Sequence, residues 1–112
     1  MAQQVERRRH PRVTADIPAR LEARTSATVR DISRSGVRCV TESLLTPMTL
    51  VEFLLELPTG DQGYEELQCR GVVVRSRVLD EDDGTKFEAA ILFKDLDGDA
   101  RDRVESFITS RL

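Results

Sequence analysis

Apolar residues recur at mostly every second position between about residues 15 and 93 of the chain. This spacing is typical of β-strands that bury one face, because successive side chains of a strand point to opposite sides of the sheet. Three short runs predict strands at residues 17–23, 27–32 and 37–41, and three clearer alternating sets predict strands around residues 51–57, 67–73 and 87–93. We therefore expect about six short strands around one core.

Turn-forming residues and a change of period complete the expected fold. The segments 58–63 and 80–84 contain Gly and Asp, which favour hairpin turns between antiparallel strands, with Gly supplying a positive φ. After Leu96 the apolar spacing becomes helical, which predicts an amphipathic helix over about residues 97–111 that Asp97 or Asp99 can cap. The expected fold is mainly β: a six-stranded antiparallel β-barrel with a C-terminal α-helix and a flexible N-terminal arm.

The length of 112 residues favours one domain. We expect residues 1–14, which lack periodicity, to form a flexible basic arm, and residues 15–112 to form a single barrel domain with its helix. No apolar run is long enough to cross a membrane, and the first residues lack the apolar core of a signal peptide, so we expect a cytoplasmic protein without membrane insertion. Cys39 and Cys69 are expected to be reduced and buried, because no second Cys or His stands at metal-ligand spacing.

Charge and composition narrow the classes of function. The net charge of −3 and an aromatic content of 4% argue against binding to long nucleic acids, which requires excess positive charge and aromatic platforms. Residues 6–12 nevertheless hold four arginines against one acid, which points to a small anionic ligand or partner. His10, the only histidine, lies in the basic arm, and the sequence shows no visible machinery for nucleophilic catalysis, so an enzyme is not expected.

Two short motifs stand out. Arg8 and Arg12 form an RxxxR spacing where the arm meets the barrel, and Asp31, Ser33 and Gly36 form a DxSxxG spacing where one strand gives way to the next. Taken alone, the arginines read as a solvated basic tail. The second motif alone reads as a turn in which Asp and Ser bond their own backbone and Gly takes a positive φ.

With both motifs in this order, about twenty residues apart, and followed by a β-rich body and a final helix, the chain resembles the PilZ domain family. Members of this family are bacterial receptors for cyclic diguanylate (c-di-GMP). The resemblance implies that c-di-GMP is the ligand, that no cofactor is needed, and that residues of both motifs form one site.

The resemblance also implies roles for individual residues. Arg8 and Arg12 would grip guanine edges and phosphates, because the planar guanidinium matches the O6 and N7 acceptors of guanine. Asp31 would accept hydrogen bonds from guanine N1 and N2. Further expected contacts are a phosphate or stacking contact from Arg7 or Arg9, a hydroxyl from Ser33, and a close backbone approach or a sharp turn at Gly36. Arg34 and Arg75 are candidates for secondary contacts that the family pattern does not fix.

The expected function is a c-di-GMP receptor or adaptor domain. Binding would change the conformation of the N-terminal arm and signal to an effector protein, and either one or two ligand molecules could occupy the site. The alternative is an adaptor of the same fold that contacts proteins without binding the dinucleotide. A barrel that binds single-stranded nucleic acid is a third interpretation, against which the composition counts.

Overall fold

The computed structural model describes residues 11–22, 24–79 and 86–112. Six β-strands and one α-helix follow one another along the chain. Their bounds are β1 (Arg12–Leu21), β2 (Thr25–Ser33), β3 (Gly36–Thr41), β4 (Leu50–Pro58), β5 (Tyr64–Leu79), β6 (Lys86–Phe93) and α1 (Gly98–Arg111). The predicted mainly-β fold, with six antiparallel strands and a C-terminal helix, is confirmed.

The strands form two meanders of three strands each. Within the first, β2 pairs with β1 and β3, and within the second, β5 pairs with β4 and β6, all antiparallel. The meanders join along β3 and β6, and again along a short ladder between β1 and β4 that runs from Ala19↔Leu55 to Leu21↔Phe53. The strand order β1-β2-β3-β6-β5-β4 thereby returns to its start as a closed barrel.

Strand β1 begins earlier than the sequence predicts. Residues 12–14, assigned above to the arm, pair with β2 at Arg12↔Ser33, Val13↔Ile32 and Thr14↔Asp31. The reason is that the buried alternation of β1 starts at Val13, which is 6% exposed, and continues through Ala15. Arg12 therefore belongs to the barrel, while residues 1–10 of the predicted arm lie outside the described residues.

Helix α1 covers part of the barrel core. Asp97 caps its start, since the Asp97 carboxylate accepts a hydrogen bond of 2.8 Å from the Ala100 backbone N–H. The apolar face of the helix packs against β1, β2, β4 and β5 and buries Ala100, Val104, Phe107 and Ile108. Among the described residues, no helix has the length and apolar character needed to cross a bilayer.

The turn between β4 and β5 forms as predicted, but its glycines do not take the expected backbone conformation. Pro58 pairs with Tyr64 at the base of this turn, and the Thr59 N–H donates to the Gly63 carbonyl at 3.0 Å. The positive φ of the turn, 74°, belongs to Gln62 rather than to Gly60 or Gly63. The other predicted turn, at 80–84, lies outside the described residues.

Candidate ligand-binding site

A cleft crosses the outer face of five neighbouring strands, from β1 through β2, β3 and β6 to β5. It brings both sequence motifs together with residues of β5 and β6. The polar side chains that line it are Arg12, Asp31, Ser33, Ser35, Arg38 and Arg75, and the remaining lining residues are Gly36, Val37, Ala90, Ile91 and Leu92.

Strand pairing explains the shape of this cleft. Asp31, Arg38, Ala90 and Arg75 are successive cross-strand partners on β2, β3, β6 and β5. Because Ala90 in the middle of this row has only a methyl group, the longer side chains on either side stand as walls above it. Gly36, the cross-strand partner of Leu92, leaves a similar gap in the adjacent row.

Gly36 is required by its neighbour across the sheet. A Cβ at this position would lie 2.2 Å from the Ile91 carbonyl oxygen, closer than atoms in contact allow, and would make a tight contact of 3.0 Å with the Leu92 Cα. Its φ is not in the left-handed region, so the turn interpretation made from the sequence is wrong for this residue. The glycine is needed because β6 passes close to β3.

Two β-bulges turn the candidate side chains of Asp31 and Arg75 toward the cleft. Val29 is buried, so strict alternation would also point Asp31 into the core, but the pairing of β2 with β3 shifts between these two residues. The same holds on β5, where the pairing with β6 shifts between buried Val73 and exposed Arg75. A bulge inserts one residue and reverses the faces beyond it, which directs both side chains outward.

Ser33 is held within its own turn. Its Oγ accepts a hydrogen bond of 3.1 Å from the Ser35 backbone N–H and lies 3.1 Å from the Ser35 Oγ. The residue is 8% exposed. This matches the local Ser turn considered from the sequence, and it leaves the Ser33 hydroxyl at the edge of the cleft.

A chain of five charged side chains runs across the same strands, with one member on each. We call it the charge belt: Arg12 (β1), Asp31 (β2), Arg38 (β3), Glu88 (β6) and Arg77 (β5). Its contacts are Arg12 Nη1 to Asp31 Oδ2 at 3.7 Å, Arg38 Nε to Asp31 Oδ2 at 2.8 Å, a hydrogen bond from Arg38 Nη1 to Glu88 Oε2, and Arg77 Nε to Glu88 Oε1 at 2.9 Å. Positive and negative groups alternate along its whole length.

The charge belt holds its central members in their ionised forms. Burial disfavours the charged form of Arg38, but its hydrogen bonds to Asp31 and Glu88 outweigh burial and raise its pKa above the ordinary value. Burial likewise favours neutral Glu88, but hydrogen bonds from Arg77 and Arg38 keep the pKa of this carboxyl below its ordinary value. Arg38 is therefore a cation and Glu88 an anion at neutral pH.

The structure brings most of the described candidate residues together. Arg12, Asp31, Ser33, Gly36 and Arg75 all line the cleft. Arg34 does not, because its Nε donates a hydrogen bond of 2.9 Å to Glu105 of α1. The candidates Arg7, Arg8 and Arg9 lie outside the described residues.

Sequence reasoning did not single out Arg38 and Leu92 of the cleft or Glu88 of the charge belt. Arg38 had a usable signal, since a two-residue turn between Ser33 and Gly36 places Asp31 directly opposite Arg38, and opposite charges at such positions attract. No pattern in the local sequence pointed to Glu88 or Leu92. Their place depends on the pairing of β3 with β6, which are far apart along the chain.

Comparisons with known proteins bear on the family. The sequence matches the PilZ domain model over residues 6–110. A search of curated proteins finds no significant match. Among solved structures, the chain is similar to the Bacillus subtilis inhibitor of motility MotI/DgrA, with a TM-score of 0.78 and 15% identity over 96% of this chain and 51% of that one.

Two further solved structures share the fold. The K. pneumonia MrkH–c-di-GMP complex has a TM-score of 0.72 and 22% identity, over 95% of this chain and 52% of that one. The PilZ domain of Escherichia coli YcgR, solved with c-di-GMP, has a TM-score of 0.66 and 15% identity, over 95% of this chain and 92% of that one. The chain thus spans about half the length of the MotI and MrkH chains. With a family match that covers nearly its whole length, the chain belongs to the PilZ domain family.

Proposed function

We propose that this protein is a receptor for c-di-GMP and that the cleft is its binding site. The observation that carries the proposal is that the two motifs meet: Arg12 Nη1 of the first lies 3.7 Å from Asp31 Oδ2 of the second, with Ser33 and Gly36 in the same cleft. The MrkH and YcgR structures solved with c-di-GMP share this fold and support the choice of ligand.

The chemistry of the cleft fits a guanine dinucleotide. The Asp31 carboxylate offers acceptors to the N1 and N2 donors of a guanine, and arginine guanidiniums offer paired donors to guanine O6 and N7 or to phosphate. Arg12 and Arg75 stand on opposite sides of the Gly36 and Ala90 floor. Exposed Leu92 adds an apolar surface beside them.

Chain connectivity extends the proposed site to the first motif. Arg8 is four residues before Arg12, so its Cα lies within about 14 Å of the Arg12 Cα in any backbone conformation. We propose that Arg7 and Arg8 contact the same ligand and that the N-terminal arm changes conformation when they do.

NMR relaxation of the backbone amides of residues 1–10, measured with and without c-di-GMP, tests the proposed change in the N-terminal arm. Unchanged amide mobility on binding would count against it.

The proposed output is contact with an effector protein. Leu50, Val72 and Leu92 are successive cross-strand partners on the outer face of β4, β5 and β6, and Leu50 and Leu92 are 56% and 48% exposed. Such an exposed apolar row favours protein contact. Because Leu92 also lines the cleft, a bound ligand would lie beside this row.

Calorimetric titration with c-di-GMP tests the receptor function. We expect the parent protein to bind, and Arg12→Ala and Asp31→Ala each to lose roughly 1.5 to 3 kcal/mol of binding free energy, the range for hydrogen bonds to charged groups. Arg20→Ala is the matched control, since Arg20 is an exposed arginine on the same strand, about 26 Å further along it. Arg20→Ala should bind c-di-GMP with the same affinity as the parent protein.

The same titration discriminates the alternative adaptor function. One observation favours that alternative: the candidate charges Arg12, Asp31 and Arg38 already pair with one another without a ligand. If titration of the parent protein with c-di-GMP gives no binding heat, the receptor proposal is contradicted. The exposed apolar row would then remain as the proposed functional surface.

A further inference from the structure

Glu88 lies outside both sequence motifs and occupies an unusual position in the barrel. It is on β6, and its side chain is 10% exposed. Its two carboxylate oxygens bind different arginines: Oε2 accepts from Arg38, and Oε1 accepts from Arg77 at 2.9 Å. Both arginines stabilise this carboxylate as an anion and offset the cost of its burial.

The pairing with Glu88 fixes the direction of the Arg38 guanidinium. Arg38 Nη1 donates to Glu88, while Arg38 Nε donates to Asp31 Oδ2 at 2.8 Å. A long arginine side chain has many rotamers, and two bonds on different edges of a planar group select one of them. Without Glu88, the contact to Asp31 is the only bond from a described residue that would hold Arg38.

Arg38 in turn orients Asp31. The bond from Arg38 is made to Oδ2, which also faces Arg12, whereas Oδ1 accepts no hydrogen bond from any described residue. Among the described residues, arginines thus hold Oδ2, and Oδ1 accepts no hydrogen bond. We propose that Glu88 is a positioning residue for ligand binding, acting through Arg38 to hold Asp31 in the orientation that receives the ligand.

This inference rests on the proposed c-di-GMP function and adds to it a residue from outside the two motifs. It also predicts whether the removal of Glu88 strengthens or weakens the binding of c-di-GMP. Glu88 is a negative charge next to a site for a doubly negative ligand, so by charge alone its removal would strengthen binding. By positioning, its removal weakens binding because Arg38 and Asp31 lose their fixed geometry.

The test is the affinity of Glu88→Gln for c-di-GMP, measured by calorimetry. We expect it to be about tenfold weaker than that of the parent, the effect of losing one hydrogen bond to a charged group. Glu65→Gln is the matched control: Glu65 is also a strand glutamate bonded to an arginine, Arg103 at 2.8 Å, but Arg103, unlike Arg38, does not line the cleft. Unchanged or tighter binding by Glu88→Gln would overturn the proposal.

A double-mutant cycle tests whether Glu88 acts through Arg38. If it does, Glu88→Gln causes no further loss of affinity once Arg38→Gln is present, because the effects of coupled residues are not additive. Additive losses would contradict this route. Thermal unfolding followed by circular dichroism, recorded for every variant, shows whether each remains folded at the titration temperature.

A ligand-free measurement separates this inference from the proposed function. The Arg38 Nε–H NMR signal of the parent should show slow exchange with solvent, and Glu88→Gln should shift the signal and speed its exchange. An unchanged signal would overturn the positioning role even if the parent binds c-di-GMP. If the parent binds no c-di-GMP, the receptor proposal fails, and the role of Glu88 in ligand binding fails with it. A shifted signal would then show only that Glu88 orders Arg38.

Discussion

Arg38 Nε donates a 2.8 Å hydrogen bond to Asp31 Oδ2, and the two residues are direct cross-strand partners on β2 and β3. A residue of the DxSxxG motif is therefore oriented by a side chain that follows the motif. Arg38 is itself tied to Glu88 on β6, fifty residues further along the chain. The orientation of the motif carboxylate thus depends on how the two meanders pair.

Replacement of Gly36 by alanine should destabilise the fold. The added Cβ would lie 2.2 Å from the backbone oxygen of Ile91, so β3 or β6 must move. We expect a loss of about 1 to 3 kcal/mol in the free energy of unfolding, as for other overpacked sites. Urea denaturation measures it, with Gly60→Ala as the control, because a Cβ at Gly60 meets nothing within 4 Å. Equal stabilities of the two variants would contradict the close approach of β3 and β6.

Both cysteines should resist thiol reagents while the protein is folded. Burial, with a smaller contribution from Glu88, raises the pKa of Cys39 to about 11, and burial with a smaller contribution from Asp97 raises that of Cys69 to about 12. The thiolate is the reactive form, so little of it is present at neutral pH. Reaction with Ellman's reagent should be slow in buffer and fast in denaturing urea. Rapid modification of two thiols per folded molecule would contradict the burial of both.

The contribution of Glu88 to stability should disappear in acid. Its pKa is lower in the folded protein than in the unfolded chain, so the contribution is fully present above the unfolded pKa and is lost as the pH falls through the folded pKa. The difference in unfolding free energy between the parent and Glu88→Gln should therefore be constant near neutral pH and shrink on acidification. Urea titrations at a series of pH values measure it. A difference that grows in acid would exclude this linkage.

Replacement of Asp97 by alanine should weaken helix α1. The Asp97 side chain accepts the Ala100 backbone N–H at 2.8 Å, and the loss of such a cap costs about 0.5 to 2 kcal/mol. Urea denaturation measures the change. Asp102→Ala serves as the control, since Asp102 is exposed and caps no backbone N–H among the described residues. The capping role of Asp97 is refuted if both variants lose the same stability.

The strand and helix pattern was predictable from the sequence because it depends on local periodicity. Six runs of alternating residues became six strands, and the helical spacing after Leu96 became α1. The start of β1 was placed too late, although Val13 and Ala15 continue the alternation and are buried. The basic character of the preceding residues concealed this short extension.

The site was only partly predictable, and the reasons are physical. Both Asp31 and Arg75 follow buried residues at a spacing of two, so alternation alone would place them in the core, and only the bulges on β2 and β5 turn them outward. A bulge is a shift of one residue that periodicity does not locate. The contact between Arg38 and Glu88 depends on the pairing of β3 with β6, which no local pattern specifies.

The protein can be divided between its two meanders, which are joined along β3 and β6. A single segment, residues 42–49, links them between β3 and β4. Cutting the chain there would leave one fragment with Arg12, Asp31 and Arg38 and another with Glu88 and Arg77, neither of which contains a whole cleft. Under the proposed function, recovery of c-di-GMP binding on mixing such fragments would report their reassembly.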